Sequence, residues 1–234
     1  MEVETIITKF DYKGEKTIEL EIYGWDEYIC QIIRTRGVFY EDEALSYLRA
    51  NFSCQKTILD VGANIGNHTT FFAEFMNAEK IHAFEPHPMN FELLQRNTSK
   101  YSNVVLHNCA IGETTKQMSI ETALNNMGSV RVLPAGGNDK VGMFPVEMFP
   151  LDAFNFSEVT LIKLDVEGFE YNVLRGAAET IRRWKPTLVI EALHVEELYS
   201  IVKFLTNDFG YIITDVVPDL NLVYVHTGQK NAKV

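Results

Sequence analysis

One stretch limits what this chain can become: Thr57-Ile58-Leu59-Asp60-Val61-Gly62-Ala63-Asn64-Ile65-Gly66-Asn67-His68. It opens with a short apolar run rich in branched residues, the pattern of a buried strand. An acid closes the run, a glycine turn follows, and Thr69 to Met76 has the composition of a helix. Strand, glycine turn and helix in this order place backbone N–H groups at a helix N-terminus, where a nucleotide-like ligand can be received.

The residues missing from the turn narrow the ligand. A dinucleotide motif starting at Gly62 requires glycine at positions 64 and 67, which are Asn64 and Asn67. A phosphate-cradling P-loop requires a later Gly-Lys-Ser/Thr, and Asn67-His68-Thr69 does not supply it. The turn suits close backbone approach without a pyrophosphate, which fits S-adenosylmethionine (SAM). Asp60 is a candidate acceptor for its ammonium group. Gly62, Ala63, Asn64, Gly66, Asn67 and His68 form the turn and helix start that would receive its carboxylate. An ordinary glycine turn in an α/β protein is the competing reading. A second acid favours the ligand. Ile81 to Phe84 is the next strand, and Glu85-Pro86 follows it. Glu85 lies roughly 20 to 25 positions beyond the turn, the distance at which a carboxylate meets a ribose diol. Capping of the helix that begins at Pro88 is its alternative role.

Asp60 to Gly66, then Phe84-Glu85-Pro86, then Lys163-Leu164-Asp165-Val166-Glu167-Gly168-Phe169-Glu170 resemble the FkbM family of SAM-dependent methyltransferases, and Glu191 fits the same pattern. The resemblance spans residues 37–193, and the block from Asp165 to Glu170 is its most specific part. It implies an O-methyltransferase acting on a hydroxyl of a sugar, a glycan or a glycosylated small molecule. A non-sugar natural product as acceptor, or a catalytically silent SAM-fold binding protein, are the alternatives. The resemblance also puts Phe39-Tyr40-Glu41 near the methionine end of SAM, with Glu41 as a contact. Cys109 and Ala110 it puts beside the adenine.

The pattern along the chain sets the architecture. Residues 4–23 alternate as two strands about a turn at Asp11 to Gly14, and Asp26–Arg36 and Glu41–Asn51 are expected helices. Residues 1–52 are expected to form a hairpin and helices roofing the cofactor site, and 53–234 one compact methyltransferase unit. Beyond Glu85, a helix from Pro88 to Lys100 precedes a strand at Val104–His107. Strands are expected at Gln117–Thr122 and Phe144–Phe149, with a glycine-containing loop over Asn125–Ser129 and Pro134–Asn138 forming an acceptor wall. Thr160–Asp165 and Thr187–Glu191 are further core strands, separated by one helix that ends before Pro186. A helix over His194–Asp208 precedes a closing hairpin at Tyr211–Val217 and Asn221–His226. The expected fold is α/β and Rossmann-like: a doubly wound, mostly parallel seven-stranded sheet with an antiparallel edge hairpin and an N-terminal hairpin and helical extension.

Asp60, Glu85, Asp165 and Glu191 all close core strands, so four carboxylates converge on one rim. Methyl transfer to a weakly acidic hydroxyl needs a base or a metal. Asp165 with Glu191 is a hard-oxygen pair of the kind that holds Mg²⁺ or Mn²⁺. The base is Glu167 or, alternatively, His194. Lys163, on the same side of its strand as Asp165, is placed to pair with this rim. Tyr199-Ser200-Ile201-Val202-Lys203 matches the Tyr-x-x-x-Lys spacing of short-chain dehydrogenases, but no glycine motif accompanies it.

The 234 residues, 46% hydrophobic and 23% charged, suffice for one well-buried domain. The formal charge of −11 argues against a nucleic-acid partner, which needs a basic face. The expected partner is a small-molecule or glycan acceptor, and nothing in the sequence sets an oligomeric state. Three widely spaced cysteines, Cys30, Cys54 and Cys109, suggest neither disulfides nor a zinc site. No signal-peptide pattern and no membrane span are visible, so a soluble, cytoplasmic protein is expected.

Overall fold

The structure, a computed structural model, describes residues 4–25, 27–52, 55–123, 126–134, 143–191, 195–218 and 221–228. Among the predicted features, Asp26, Cys54, Asn125, the segment Ala135–Asn138 and His194 lie outside the described residues.

Strands β1 (Thr5–Tyr12) and β2 (Lys16–Tyr23) pair antiparallel in a sheet of their own. Ile18, Leu20 and Ile22 alternate inward, as the two-residue period requires. Helix α1 (Tyr28–Arg36) is capped by the Glu27 carboxylate, which accepts the Cys30 N–H, and it ends on left-handed Gly37. Helix α2 (Asp42–Phe52) buries Ala44, Leu45 and Leu48. The hairpin and both helices pack onto α3 (Asn67–Phe75), which follows the first core strand β3 (Thr57–Val61). Tyr12, Phe39, Phe71 and Phe75 meet edge-on or tilted, with centroids 4.9–6.2 Å apart, and seal that side.

Next come β4 (Lys80–Phe84), α4 (Pro88–Thr98) and β5 (Val104–His107). A second, four-stranded sheet then interrupts the α/β rhythm: β6 (Ala110–Ile111), β7 (Lys116–Ala123), β8 (Asn126–Pro134) and β9 (Met143–Phe149), in the order β6-β9-β7-β8. Asn126–Ser129 and Pro134, predicted as loop, therefore belong to a strand that pairs with β7. β8 lies at the sheet's edge, where glycine and proline leave no central ladder broken.

The core resumes with β10 (Val159–Leu164), and the helix predicted after it is two helices, α5 (Glu170–Arg175) and α6 (Ala178–Trp184). The break has a tertiary cause. Asp152, on a single turn at Leu151–Ala153, accepts the N–H groups of Glu179 and Thr180 and so caps α6 from a distance in sequence. Gly176 meanwhile lies so close to the backbone of residue 112 that a Cβ would fall 1.9 Å from the Gly112 carbonyl oxygen. Strand β11 (Thr187–Glu191), helix α7 (Val195–Lys203) with a π-helical end at Phe204–Asp208, and strands β12 (Tyr211–Val217) and β13 (Asn221–His226) complete the chain.

The main sheet runs β12-β13-β11-β10-β3-β4-β5. β11, β10, β3, β4 and β5 are parallel, and β13 and β12 form the antiparallel edge. The predicted seven-stranded Rossmann-like fold is observed. Strand order reverses between β3 and β10, and a crevice opens beyond the carboxyl ends of adjacent parallel strands at such a switch. Among the described residues, no helix is long and apolar enough to cross a membrane.

Candidate active site at the switch point

A cavity of about 210 Å³ lies at this switch. Its lining includes Gly62, Asn64, Glu85, Pro86, Cys109, Ala110, Asp165, Glu167 and Glu191 from the predicted set. It also includes Tyr28, Ile29, Tyr40, Phe84, Val166 and Phe169, which motif reading did not single out as ligand contacts. Tyr40, Phe84, Val166 and Phe169 stand within the quoted motifs, whereas Tyr28 and Ile29 come from outside them, and only the three-dimensional path of the chain brings those two in.

Both glycines of the turn are required by neighbouring backbone and side chains. Gly62 has φ +85°, and a Cβ there would lie 1.8 Å from the Asp165 carbonyl oxygen. Gly66 has φ +90°, and a Cβ there would lie 2.9 Å from Leu94 Cδ1 of α4. Asn64 also takes a left-handed conformation, φ +51°, which asparagine tolerates better than most residues. Its own Oδ1 accepts the Ile65 N–H at 2.7 Å.

Glu85 stands just beyond β4 and is 3% exposed. Its two carboxylate oxygens accept the N–H groups of Asn64 and His87, each at 2.8 Å. Burial pushes its carboxyl up to about 7, against the pull of those hydrogen bonds. The side chain is thus locked at the cavity wall with lone pairs to spare. Phe84, Cys109, Ala110, Ile111, Val166 and Phe169 form an apolar surface beside it. Burial raises the Cys109 thiol to about 12, so it is a neutral, apolar contact. An anchored acid next to an apolar slot fits an adenosine, with Glu85 toward the ribose and the slot toward the base.

The predicted contacts of Asp60, Ala63, Gly66, Asn67, His68 and Glu41 are different: none of them lines the cavity. Asp60 is fully buried, and its Oδ2 accepts the Thr69 hydroxyl at 2.6 Å. The carboxylate therefore ties β3 to α3. Asn67 brackets Tyr40, accepting its N–H at 3.0 Å and donating to its carbonyl at 3.1 Å. His68 Nε2 lies 3.0 Å from Glu41 Oε2, and Asn221 donates to Glu41 Oε1 at 2.9 Å. Glu41, Asn67 and His68 hold the Tyr40 segment against α3 and β13.

Opposite Glu85 sits an ionic cluster. Lys163, 2% exposed, places Nζ 2.9 Å from Asp165 Oδ2. Burial opposes its charge, but Asp165, Asp60 and Glu41 hold the ammonium protonated. Burial likewise opposes the Asp165 charge, and Lys163 together with a hydrogen bond from Glu191 outweighs it, so Asp165 stays ionised below the ordinary range. Glu191 is pushed up to about 9 by burial and by the Asp165 charge. At neutral pH the cluster is ammonium, carboxylate and carboxylic acid. Glu167 borders the same cavity with φ +55°, and Gly168 beside it has φ +89°. Glu170 holds that turn by accepting the N–H groups of Val166 and Gly168 at 2.9 and 3.3 Å.

This donor set does not fit the expected Mg²⁺ or Mn²⁺. The Lys163 ammonium already occupies the cation's place beside Asp165, and Glu191 is protonated. Among the described residues no group of three or more His, Cys, Asp or Glu is placed to hold a metal ion, whereas a hard cation takes six or more oxygens, from protein and water together.

The fold and site can be set beside known proteins. "Methyltransferase 1" of Beauveria bassiana is 26% identical over 193 residues, covering 73% of this chain and 78% of its own. The "Hexuronic acid methyltransferase AglP" of Haloferax volcanii is 23% identical, covering 65% of this chain and 62% of its own. The crystal structure of Methyltransferase FkbM from Methylobacillus flagellatus superposes with a TM-score of 0.55 at 24% identity, covering 75% of this chain but 44% of that one. The family model for the methyltransferase FkbM domain matches residues 60–213. Those residues carry the end of β3, the cavity acids, the whole of β4, β5, β10 and β11 and the start of β12, and the chain belongs to the FkbM family of methyltransferases.

Proposed function

We propose that this chain transfers a methyl group from SAM to a hydroxyl oxygen of a carbohydrate or glycosylated small molecule. The observation that carries the proposal is the Lys163–Asp165–Glu191 cluster facing the same cavity as Glu85. The family supports dependence on SAM, and the cluster supports hydroxyl chemistry. A carbohydrate acceptor draws support from the AglP relative, which acts on a hexuronic acid.

SAM held against Glu85 and the apolar slot supplies an electrophilic methyl group on a sulfonium. The ionised Asp165 accepts a hydrogen bond from the acceptor hydroxyl and orients its lone pair toward that methyl, and alignment of this kind supplies much of the rate. As the new C–O bond forms and the S–CH₃ bond of the sulfonium breaks, with the thioether S-adenosylhomocysteine as leaving group, the hydroxyl proton would pass to Asp165. The positive charge leaving the sulfonium is then carried by the cluster, because Lys163 remains protonated beside two neutral carboxyl groups. Glu167 is the alternative base on the same wall.

The test is methyl transfer to a panel of sugars, glycosides and hydroxylated natural products, followed by mass spectrometry. Asp165→Asn is expected to lower kcat by about 10²–10⁴-fold, the usual worth of a positioned proton acceptor, with SAM affinity little changed. EDTA is expected to leave turnover intact, and collapse of activity in EDTA would reject the metal-free reading. Methylation of nucleic acid or protein, with no turnover across the panel, would reject the acceptor class.

A further inference from the structure

The mouth of the cavity carries a feature that proton transfer does not use. Tyr28 is 57% exposed, yet it lines the cavity. Large exposed aromatics are rare here: among the described residues Tyr199 is the only other one that stands as open, and it lies away from the site on α7. Tyr28 is not a mobile surface group by construction. It is the first residue of α1, whose start is capped by Glu27 and whose inner face buries Cys30 and Ile33. Its ring meets Tyr40 edge-on, with centroids 6.0 Å apart at 77°. Tyr40 is itself held at its backbone by both polar atoms of the Asn67 side chain. Burial, then Glu41, Asp165 and Glu191, raise the Tyr40 phenol, so its hydroxyl stays neutral beside the carboxyl cluster.

The lining is also one-sided in charge. Glu85, Asp165, Glu167 and Glu191 face the cavity, and no lysine or arginine is among the described lining residues. Lys163 is buried behind Asp165 and already neutralised by it. An anionic acceptor would find no cation to pair with among the described lining residues, in a partly desolvated site.

Resting on the function proposed above, we infer that the acceptor is a neutral pyranose that lays its apolar C–H face on the Tyr28–Tyr40 pair and turns a hydroxyl to Asp165. A pyranose has one face of C–H groups and a rim of hydroxyls, which matches an aromatic ring at the mouth and carboxyl groups on the floor. The relative that takes a hexuronic acid would then differ from this chain in acceptor charge.

Initial rates with a methyl hexopyranoside, the corresponding hexuronate and an acyclic hexitol test this, for the wild type, Tyr28→Ala and Tyr28→Phe. The wild type is expected to favour the neutral pyranoside at least tenfold in kcat/KM over the other two. Tyr28→Ala should raise KM for the pyranoside at least tenfold, with kcat and the calorimetric Kd for SAM unchanged, and should lose the preference for the ring over the hexitol. Tyr28→Phe should behave as the wild type. A hexuronate preference, an unchanged KM in Tyr28→Ala, or equal damage in Tyr28→Phe would each overturn the inference while leaving carbohydrate methylation standing. A wild type inactive on all three compounds, but active elsewhere on the wider panel, would reject the pyranose assignment. Inactivity on every carbohydrate would instead remove the underlying reading.

Discussion

Glu85 and Gly62 show how single residues divide the work of the turn. Glu85 is locked by the N–H groups of Asn64 and His87, so it presents a fixed acceptor without needing to reorganise when a ligand arrives. Glu85→Ala is expected to weaken SAM binding by about 1.5–3 kcal/mol, the range for a hydrogen bond to a charged group. Calorimetry on the folded variant checks this, and an unchanged Kd would remove Glu85 from the cofactor site. Gly62 is a structural requirement before it is a binding one. An added Cβ would collide with the Asp165 carbonyl at 1.8 Å, which neither strand can avoid without moving the other. Gly62→Ala combines overpacking, about 1–3 kcal/mol, with a left-handed backbone penalty of about 1–2 kcal/mol. A large fall in Tm is expected, and a Tm within a degree of the wild type would show that β3 and β10 can separate freely.

At the scale of elements, the segment between α1 and α2 depends on α3. Asn67 satisfies both backbone polar groups of Tyr40, while His68 and Asn221 hold Glu41. Asn67→Ala is expected to cost about 1–3 kcal/mol in stability, because the Tyr40 amide loses its partner in a partly buried place. Hydrogen exchange at Tyr40 should quicken more than exchange in β3, and unaltered protection there would show that the clamp is redundant. The same elements show what the sequence made legible. Strand, turn and acid at 57–68 and 81–85 are local signals, and so is the αβ alternation, so the sheet and the place of its switch could be read directly. Strand β8 could not, because Asn126, Gly128 and Pro134 carry turn chemistry and its pairing is supplied by β7. The break between α5 and α6 depends on Asp152, distant in the chain, and periodicity cannot see such a cap. The place of Glu85, Asp165 and Glu191 in the cavity wall was legible for the same reason: each closes or follows a core strand. Asp60 lies outside the cavity lining, because a strand-end acid is equally suited to hold the next helix, as it does through Thr69. Tyr28 and Ile29 had no motif at all, and only the folding of α1 over the sheet brings them to the cavity.

At the scale of the whole molecule, the acids gathered at the switch point tie stability to pH. Glu85 and Glu170 are raised to about 7 and Glu191 to about 9, in each case first by burial. A carboxyl whose folded pKa exceeds its unfolded value near 4.5 binds its proton more tightly in the native state. Its contribution is complete below the unfolded pKa and is lost as pH rises through the folded one. His82 and His87, both pushed down to about 4 by burial, act in the opposite sense. Their contribution is present above about 6.5 and is lost as pH falls through 4. Between pH 4.5 and 6.5 the two sets oppose each other. Above pH 6.5 the histidine contribution is level, the acids still change, and the buried thiols of Cys30 and Cys109, raised above their ordinary value, add in the same sense near pH 9, so stability must fall from there to pH 9. The slope for one such proton is about 1.4 kcal/mol per pH unit. Thermal melts of the free protein from pH 6.5 to 9 are therefore expected to show a steady decline in Tm. Glu191→Gln, which removes the last of these titrations while keeping a hydrogen-bond donor beside Asp165, should flatten the part of the decline between pH 7 and 9. A Tm that holds or rises across that interval in the wild type would mean that Glu191 is ionised in the native state, and that the cluster does not carry the shared proton assigned to it.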